Sequence, residues 1–477
     1  MKYLRRCLKA LGWLMLALGG LASVGLAALI VANWNDDALS EAAQQALQYT
    51  PPTEQALEGN GSLILMGLDA PAGGDAVADA MALGRQRLAR EIERRRWVEA
   101  HGDRQEGMPP SLAAEAMVGD VLPDRLRCPV GEADCFAWFV KHGDEVQALA
   151  KNHQALLQRL AAAASSPQFS NPAPFYLLAE FPPYGLLVRA HELWLAQAAL
   201  AWVHGQPQQA MDIARQAVQL RSRMASTSNS LIASMIALAM QHRELRWLSD
   251  ASARTASPTP AAVSTTIEEL VSVPTEPLGS AMEGEMRFVA SGLYLYKTVD
   301  LFTRPWDEPP TWWQRLLNKA SNWAYLPRQT LNLSLGYLQQ VHTIHGMPAP
   351  RQDAAFSKLM RRLEDDGACL PWNSLRNIAG TCLAAISARN YQGYAQRVAD
   401  MDGYRRLVLL QHRAAVDQVA PPDMPAWLAQ SPEELRNPYT LQPMQWDAAT
   451  SSLMFEGREK QNQNPGRSST YRIRLRG

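Results

Sequence analysis

Hydrophobic residues concentrate near the start of the chain, where the run Leu11–Ala32 contains no charged residue. An α-helix rises about 1.5 Å per residue, so it needs about 20 apolar residues to cross the hydrocarbon core of a bilayer. The pattern therefore predicts a single transmembrane helix at 11–32. A second apolar run, at 231–240, is too short to span a membrane and indicates a buried helix instead.

The two sides of this run carry opposite charges. The preceding residues, 1–10, form a basic cap that contains Lys2, Arg5, Arg6 and Lys9. Asp36 and Asp37 follow the run, and positive charge marks the cytoplasmic side of a span. We therefore predict a bacterial inner-membrane protein with a cytoplasmic N-terminus and with the bulk of the chain in the periplasm. Trp34 lies where tryptophan side chains meet lipid headgroups.

A cleaved signal peptide is the alternative to a retained anchor. The apolar region of a signal peptide is about 7–15 residues long and ends at a small-residue cleavage site. Ala27 and Ala28 supply small residues, but the apolar run continues through Leu29, Ile30 and Val31. This length favours a signal-anchor that stays in the membrane.

The rest of the chain alternates helical apolar patterns with proline- and glycine-rich breaks. Residues 184–204 are apolar on nearly all sides, and a Gly-Gln-Pro turn separates them from a partner helix at 208–224, which predicts a helical hairpin. The charge run 85–96 is interpreted as the solvated face of another helix. The fold class is therefore mainly α, with one transmembrane helix followed by a multi-helix periplasmic domain.

The C-terminal residues change to strict alternation at 443–446, 452–456 and 471–475, which predicts a small antiparallel β-sheet. Shifts of this kind divide the chain into predicted segments. These are the basic cap at 1–10, the anchor at 11–32, a first helical lobe at 33–254, a Ser/Thr/Pro-rich connection at 255–278, a second helical lobe at 279–430 and a β subdomain at 431–477.

Four of the five cysteines follow the span, in a compartment predicted to be oxidising. Four cysteines allow three connectivities, and closing the shortest loops favours Cys128–Cys135 and Cys369–Cys382. Each bond would stabilise the fold by about 2–3 kcal/mol. A zinc site is the alternative, but the spacings C-x6-C and C-x12-C differ from the short C-x2-4-C knuckles of structural zinc. We therefore predict two disulfides and no metal site.

Composition excludes some classes of function. Hydrophobic residues make up 47% of the chain and charged residues 19%, which is typical of a globular protein. The 46 basic and 46 acidic residues balance, so no electrostatic surface for nucleic acid is indicated. His342 and His345 form a His-x-x-His pair without a third ligand at useful spacing. No catalytic residue can be assigned, and no cofactor is expected.

An amphipathic helix is predicted at 312–323. Its apolar residues are Trp312, Trp313, Leu316, Leu317, Ala320 and Trp323, with Arg315 and Lys319 opposite. The plain interpretation of such a stripe is a helix buried in a core. The alternative is a helix that lies on a bilayer with tryptophan at headgroup depth. The candidates for membrane-interface residues are therefore Trp34, Trp312, Trp313 and Trp323.

Two segments carry a resemblance to known proteins. Residues 60–71 end in Leu-Met-Gly-Leu-Asp-Ala-Pro, and residues 437–446 read Asn-Pro-Tyr-Thr-x-x-Pro-Met-x-Trp. Both resemble segments of single-span envelope proteins of Gram-negative bacteria, a family without an assigned activity. The second is also similar to the end of a pseudopilin globular domain, where an Asn-Pro turn precedes a short sheet. The resemblance implies a location in the envelope and no functional residues.

These patterns together predict an anchored periplasmic protein that acts as a scaffold or interaction module of the cell envelope. It would contact the membrane through its N-terminal helix, and its expected partner is an envelope protein. Two alternatives stay open, namely an envelope hydrolase with a site built from distant carboxylates, and an accessory component of a secretion or pilus system. A deep pocket with converging Asp, Glu or His side chains would favour the hydrolase.

Overall fold

The computed structural model describes residues 2–71, 73–101, 106–110, 112, 121–129, 134–254, 261–295, 311–366, 375–389, 391–459 and 469–475. These residues form a mainly helical protein with a small antiparallel sheet near the C-terminus, which confirms the predicted class. The first helices are α1 (Lys2–Ala32), α2 (Glu41–Leu47), α3 (Glu54–Leu57), α4 (Gly61–Met66), α5 (Ala76–His101), α6 (Cys135–Lys141), α7 (Gly143–Asn152), α8 (Gln154–Ser165), α9 (Tyr184–Val203) and α10 (Pro207–Ser226).

The second part of the chain is also helical up to the three C-terminal strands. Its helices are α11 (Leu231–Ser252), α12 (Ala261–Ser272), α13 (Gly279–Leu295), α14 (Trp312–Trp323), α15 (Pro327–His345), α16 (Ala349–Asp366), α17 (Ile378–Ala388), α18 (Gln392–Val416) and α19 (Met424–Ala429). The strands are β1 (Gln445–Asp447), β2 (Ser452–Glu456) and β3 (Thr470–Arg474).

The chain divides into two compact units, each of which combines distant stretches of sequence. The anchor unit consists of Met1–Gln48, Met286–Val341 and Phe356–Asn390. The main unit consists of Tyr49–Glu285, His342–Ala355 and Tyr391–Gly477. The boundaries predicted at 33–254, 255–278, 279–430 and 431–477 follow the order of the sequence instead, and they stay a prediction.

The core of the main unit forms around α9 and α10, which the three residues 204–206 connect. These two helices pack against each other, and α11 packs against both. Short side chains on the facing surfaces let the helices approach closely. The buried alanines of the pair include Ala190, Ala198, Ala201, Ala210, Ala214 and Ala217.

Three charged or ionisable side chains meet inside this core, one from each helix. Glu244 of α11 accepts a hydrogen bond from Arg221 Nε of α10 at 3.0 Å, and its other oxygen lies 3.0 Å from His191 Nε2 of α9. All three side chains are buried. Burial opposes ionisation of Glu244, but Arg221 and the hydrogen bond from His191 outweigh it and lower the pKa of this carboxyl. The trio therefore fixes the register of α9, α10 and α11.

The C-terminal sheet has the strand order β1-β2-β3, and both pairs are antiparallel. Leu453 pairs with Ile473, and Phe455 pairs with Tyr471. Leu453, Phe455 and Ile473 are buried, as the alternating pattern requires. Gly403 of α18 permits close packing on this face, since a Cβ atom there would lie 2.3 Å from Phe455 Cζ.

The charged helix α5 differs from the sequence-based interpretation. Glu91, Arg94 and Arg95 are buried, so the prediction of a solvated face for 85–96 is wrong at these positions. Arg94 Nε lies 3.2 Å from Glu91 Oε1, and the Tyr176 hydroxyl lies 3.2 Å from Glu91 Oε2. The ion pair and the hydrogen bond offset only part of the cost of burying Glu91, because burial still raises the pKa of this carboxyl.

One of the predicted cysteine pairs lies at bonding distance. The Cys128 and Cys135 side chains form a disulfide, with Cα atoms 5.5 Å apart, and Cys135 begins α6. Cys382 of α17 is also disulfide-bonded. Cys369 lies outside the described residues, so the predicted Cys369–Cys382 bond stays a prediction.

We expect Glu244→Gln to lower the free energy of unfolding by about 3 kcal/mol at neutral pH, because it leaves the buried Arg221 without a carboxylate. Urea denaturation of the detergent-solubilised chain measures this. The difference in the free energy of unfolding between wild type and Glu244→Gln is fully present above the ordinary Glu pKa of 4.5. It narrows as the pH falls below that value, because the folded-state pKa of Glu244 is lowered. The control is Glu93→Gln, since the exposed Glu93–Arg90 pair contributes less than about 1 kcal/mol. An equal effect of the two substitutions would contradict this role of Glu244.

Candidate functional site

The anchor unit begins with the apolar helix α1. Its segment Leu11–Ala32 spans 22 residues with a mean hydropathy of 2.4, and none of its most apolar window is buried against the protein. Within the described part of the chain, this is the one helix that is long and apolar enough to cross a membrane. Trp34, which follows it directly, is 76% exposed.

The segment that leaves α1 is held by Arg376. The guanidinium donates to the Ala32 carbonyl at 3.0 Å, to the Asn35 carbonyl at 2.9 Å and to Asp37 Oδ1 at 2.7 Å. The Ala32 carbonyl belongs to the last turn of α1, where no intrahelical donor is available. Arg376 therefore satisfies the helix end and fixes the direction in which the chain continues.

Asn377 connects this exit segment to two other parts of the anchor unit. Its backbone N–H donates to Asn33 Oδ1 at 2.7 Å, and its own Oδ1 accepts from the Leu326 N–H at 2.7 Å. Its Nδ2 donates to Thr330 Oγ1 at 3.1 Å. Asn377 is fully buried and has a φ of 53°, a left-handed conformation that asparagine tolerates better than most residues. One residue thus joins the end of α1, the segment after α14 and the first turn of α15.

Asp36 supplies a second connection between the exit segment and α15. Its carboxylate accepts hydrogen bonds from the backbone N–H groups of Arg328 at 2.7 Å and Gln329 at 3.0 Å. These groups belong to the first turn of α15, which lacks intrahelical acceptors and carries the positive end of the helix dipole. Asp36 therefore caps α15 from a distant part of the sequence.

These bonds place α14 near the end of the anchor helix. Trp323 precedes Leu326 by three residues, which span at most about 11 Å of extended chain. Because Leu326 donates to Asn377, and Asn377 donates to Asn33, the C-terminal end of α14 adjoins the point where α1 ends. At the other end, Thr311 and Gln314 form a capping box: the Thr311 N–H donates to Gln314 Oε1 at 2.8 Å.

The apolar face of α14 is directed to solvent. Trp312 is 64% exposed, Trp313 56%, Leu316 51% and Trp323 42%. Residues of an α-helix follow one another at about 100°, so these four side chains occupy one side of α14. Asn318, by contrast, is only 7% exposed. This arrangement contradicts the interpretation of 312–323 as a core helix.

The flank of this apolar face is basic. Arg315 and Lys319 are exposed beside the tryptophans, and the rings of Trp312 and Trp313 stack with their centroids 3.9 Å apart. Tryptophan is the side chain that most favours lipid headgroup depth, and basic side chains reach the phosphates from there. We define this surface, with Trp34, as the tryptophan surface: Trp34, Trp312, Trp313, Leu316 and Trp323.

The histidine pair from the sequence lies in a structural setting. His345 is buried, and its Nε2 lies 3.3 Å from the Tyr391 carbonyl oxygen. Among the described residues, no group of three or more His, Cys, Asp or Glu side chains could hold a metal ion.

Carboxylates in two cavities of the main unit are paired with arginines. A cavity of about 440 Å³ contains Glu192 and Glu459, whose arginine partners lie 2.6–3.0 Å away. A second cavity, of about 460 Å³, contains Asp69, Glu91 and Glu180, each in an ion pair with arginine. Burial raises the pKa of Glu91 in spite of its arginine partner. The hydrolase alternative stays a prediction.

No protein-family model matches the chain, and no curated protein or solved structure matches it either.

We expect Asn377→Gly to loosen the segment after α14, because it keeps the left-handed backbone and removes the side-chain hydrogen bonds. Loss of two buried hydrogen bonds should cost about 2 kcal/mol locally. Amide hydrogen exchange of the peptide containing Leu326 and Thr330, measured by mass spectrometry, should accelerate by more than tenfold. Asn377→Ala should accelerate it further, since alanine adds backbone strain of about 1 kcal/mol. Unchanged protection in both variants would show that Asn377 does not hold this segment.

A nitroxide label tests the environment of α14. In a Cys7→Ser background reconstituted into vesicles, a label at Leu316→Cys should collide more with oxygen than with a water-soluble nickel complex, because oxygen concentrates in lipid. A label at Arg315→Cys, one residue away on the basic flank, is the matched control and should show more nickel collisions than position 316. Equal nickel accessibility at both positions would contradict membrane contact by this face.

Proposed function

We propose that the protein is a single-span inner-membrane protein with a cytoplasmic N-terminus and a periplasmic bulk, and that it serves as an interaction scaffold at the membrane surface. The outward apolar face of α14, next to the end of α1, carries this proposal. An anchor alone would tether the chain. An anchor together with an interfacial helix would also fix the orientation of the anchor unit at the bilayer.

The energetics of the tryptophan surface support a bilayer as its occupant. Fully removing a large apolar side chain from water stabilises by about 1.5–3 kcal/mol, and several such side chains are about half exposed on α14. A bilayer is always present beside the end of a membrane span, so contact requires no further encounter. The exposed Arg315 and Lys319 add electrostatic attraction to anionic headgroups.

The proposed side of the membrane follows from charge and from cysteine chemistry. The basic cap precedes α1 and the acidic pair follows it, which favours a cytoplasmic N-terminus. The bonded cysteines 128, 135 and 382 all come after α1. Disulfides persist in the periplasm and are rare in the cytosol, so this distribution supports export of the part that follows α1.

The topology can be tested with a reporter fused behind residue 477. Alkaline phosphatase, which folds only in an oxidising compartment, should be active in this position, and a carbonate wash should leave the fusion in the membrane. Replacing the four basic residues of the cap with glutamine should lower phosphatase activity, because it weakens the orienting charge. An inactive phosphatase on the unchanged chain would contradict the proposed topology. For the scaffold role, purification from cross-linked membranes should recover a defined envelope protein, and the absence of any partner would contradict it.

A further inference from the structure

The cavity of about 440 Å³ in the main unit combines basic and apolar walls. Its volume falls within the range of small-molecule sites, which is about 300–1,000 Å³. The helices α9, α11 and α18, the strand β3 and the residues around the Cys128–Cys135 disulfide contribute to its lining. All of these elements belong to the main unit.

The charge of the lining is positive. Four arginines, at 127, 243, 246 and 397, face two carboxylates, Glu192 and Glu459. Burial, together with Arg246 and Arg243, lowers the pKa of His242 to about 4. Its imidazole is therefore neutral at pH 7 and does not change this balance of charge. An anion that enters the cavity therefore meets an excess of guanidinium groups.

The carboxylates orient the arginines while leaving them N–H groups to donate. Glu192 Oε2 accepts from Nε of both Arg127 and Arg243, at 3.0 Å each. Arg397 donates its Nε to Glu459 Oε1 at 2.6 Å, and its guanidinium lies 5.3 Å from the Tyr394 ring centroid. A guanidinium has five N–H donors in a rigid fork, so these contacts fix its direction and use only part of its capacity.

The rest of the lining is apolar and adaptable, and Met235 Sδ lies 3.9 Å from Arg397 Nη1. This apolar part includes Leu195, Met235, Leu238, Met401, Trp247 and Tyr471. Methionine side chains are flexible and polarisable, so they can pack against ligands of different shape. A ligand that fits both the arginines and the apolar residues of the lining would carry an anionic head and an apolar body.

We propose that this cavity binds a small amphipathic anion, with a carboxylate or phosphate head held by Arg243 and Arg397 and an apolar body against Met235, Leu238 and Met401. Arginine forks recognise both head groups through paired, charge-assisted hydrogen bonds. The head group could belong to a soluble organic anion or to a lipid, because arginines would bind both through the same hydrogen bonds. This inference is independent of the membrane contact proposed for α14.

The probe for this test is 2-naphthoate, with the uncharged 2-naphthamide as its isostere, titrated calorimetrically into the full chain in phosphatidylcholine nanodiscs. Naphthoate should bind at least tenfold more tightly than naphthamide. Nanodiscs that contain phosphatidylglycerol distinguish the two sources of ligand: weaker naphthoate binding there indicates that a lipid head competes for the cavity, and unchanged binding indicates a site for soluble anions. Equal affinity for naphthoate and naphthamide would overturn the proposal.

Substitutions in the cavity test whether naphthoate binds there. Arg243→Gln and Arg397→Gln should each weaken naphthoate binding by about tenfold, because one charge-assisted fork is lost. Arg215→Gln, an arginine in an exposed pair with Asp212 on α10, is the matched control and should bind as wild type does. Ala239→Phe fills the cavity without changing its charge and should abolish binding, with unchanged circular dichroism as proof of folding. Wild-type affinity in folded Arg243→Gln, Arg397→Gln and Ala239→Phe would place the ligand elsewhere and overturn the assignment.

Discussion

The hydrogen bonds of Asn377 are the constraint on which the anchor unit depends. A membrane span imposes no direction on the chain that follows it, because its last carbonyls can be satisfied by water in many geometries. Here Arg376 donates to the Ala32 carbonyl, and Asn33 Nδ2 donates to the Leu29 carbonyl. The backbone N–H of Asn377 donates to Asn33 Oδ1 and so holds Asn33 in this geometry. Gly380 allows this arrangement, since a Cβ atom at that position would lie 1.8 Å from Thr330 Oγ1. The exit segment, α15 and α17 are thereby locked together at the point where α1 ends.

The main unit uses buried charge for a related purpose. Alanine-rich faces such as those of α9 and α10 pack closely but specify register weakly, because one alanine resembles the next. The buried Glu244 carboxylate, shared by His191 and Arg221, can be satisfied in one register only. A shift by one helical turn would leave three ionisable groups buried without their partners. Glu91 of α5 acts similarly through its contacts outside the helix, since it accepts hydrogen bonds from the Tyr176 hydroxyl and the Glu180 N–H. Apolar packing supplies the bulk of the stability, and paired charges select the arrangement.

Local pattern predicted the elements of this structure better than it predicted their surroundings. The long apolar helix near the N-terminus, the bounds of α14 and the three strands follow from periodicity within a few neighbouring residues, and the structure has them close to where the sequence places them. The buried Glu91, the connection of Asn33 to Asn377 and the meeting of Glu192 with Arg127 and Arg243 join residues that are far apart in sequence. No periodicity encodes such meetings, because they depend on how the helices pack. An arginine on a charged helix face looks the same in the sequence whether it is solvated or buried.

The orientation of α14 is a feature that its amphipathic sequence pattern alone does not determine. An amphipathic pattern states that one face avoids water, but a protein core and a bilayer satisfy it equally. In the structure the Asn318 side chain is buried, while the tryptophans on the other side of the helix are exposed. A helix that served a core would place these faces the other way round. Exposing several tryptophans to water is unfavourable in a purely aqueous setting. The arrangement becomes favourable when a second apolar medium meets the outer face, and the helix adjoins the end of the segment best suited to cross that medium.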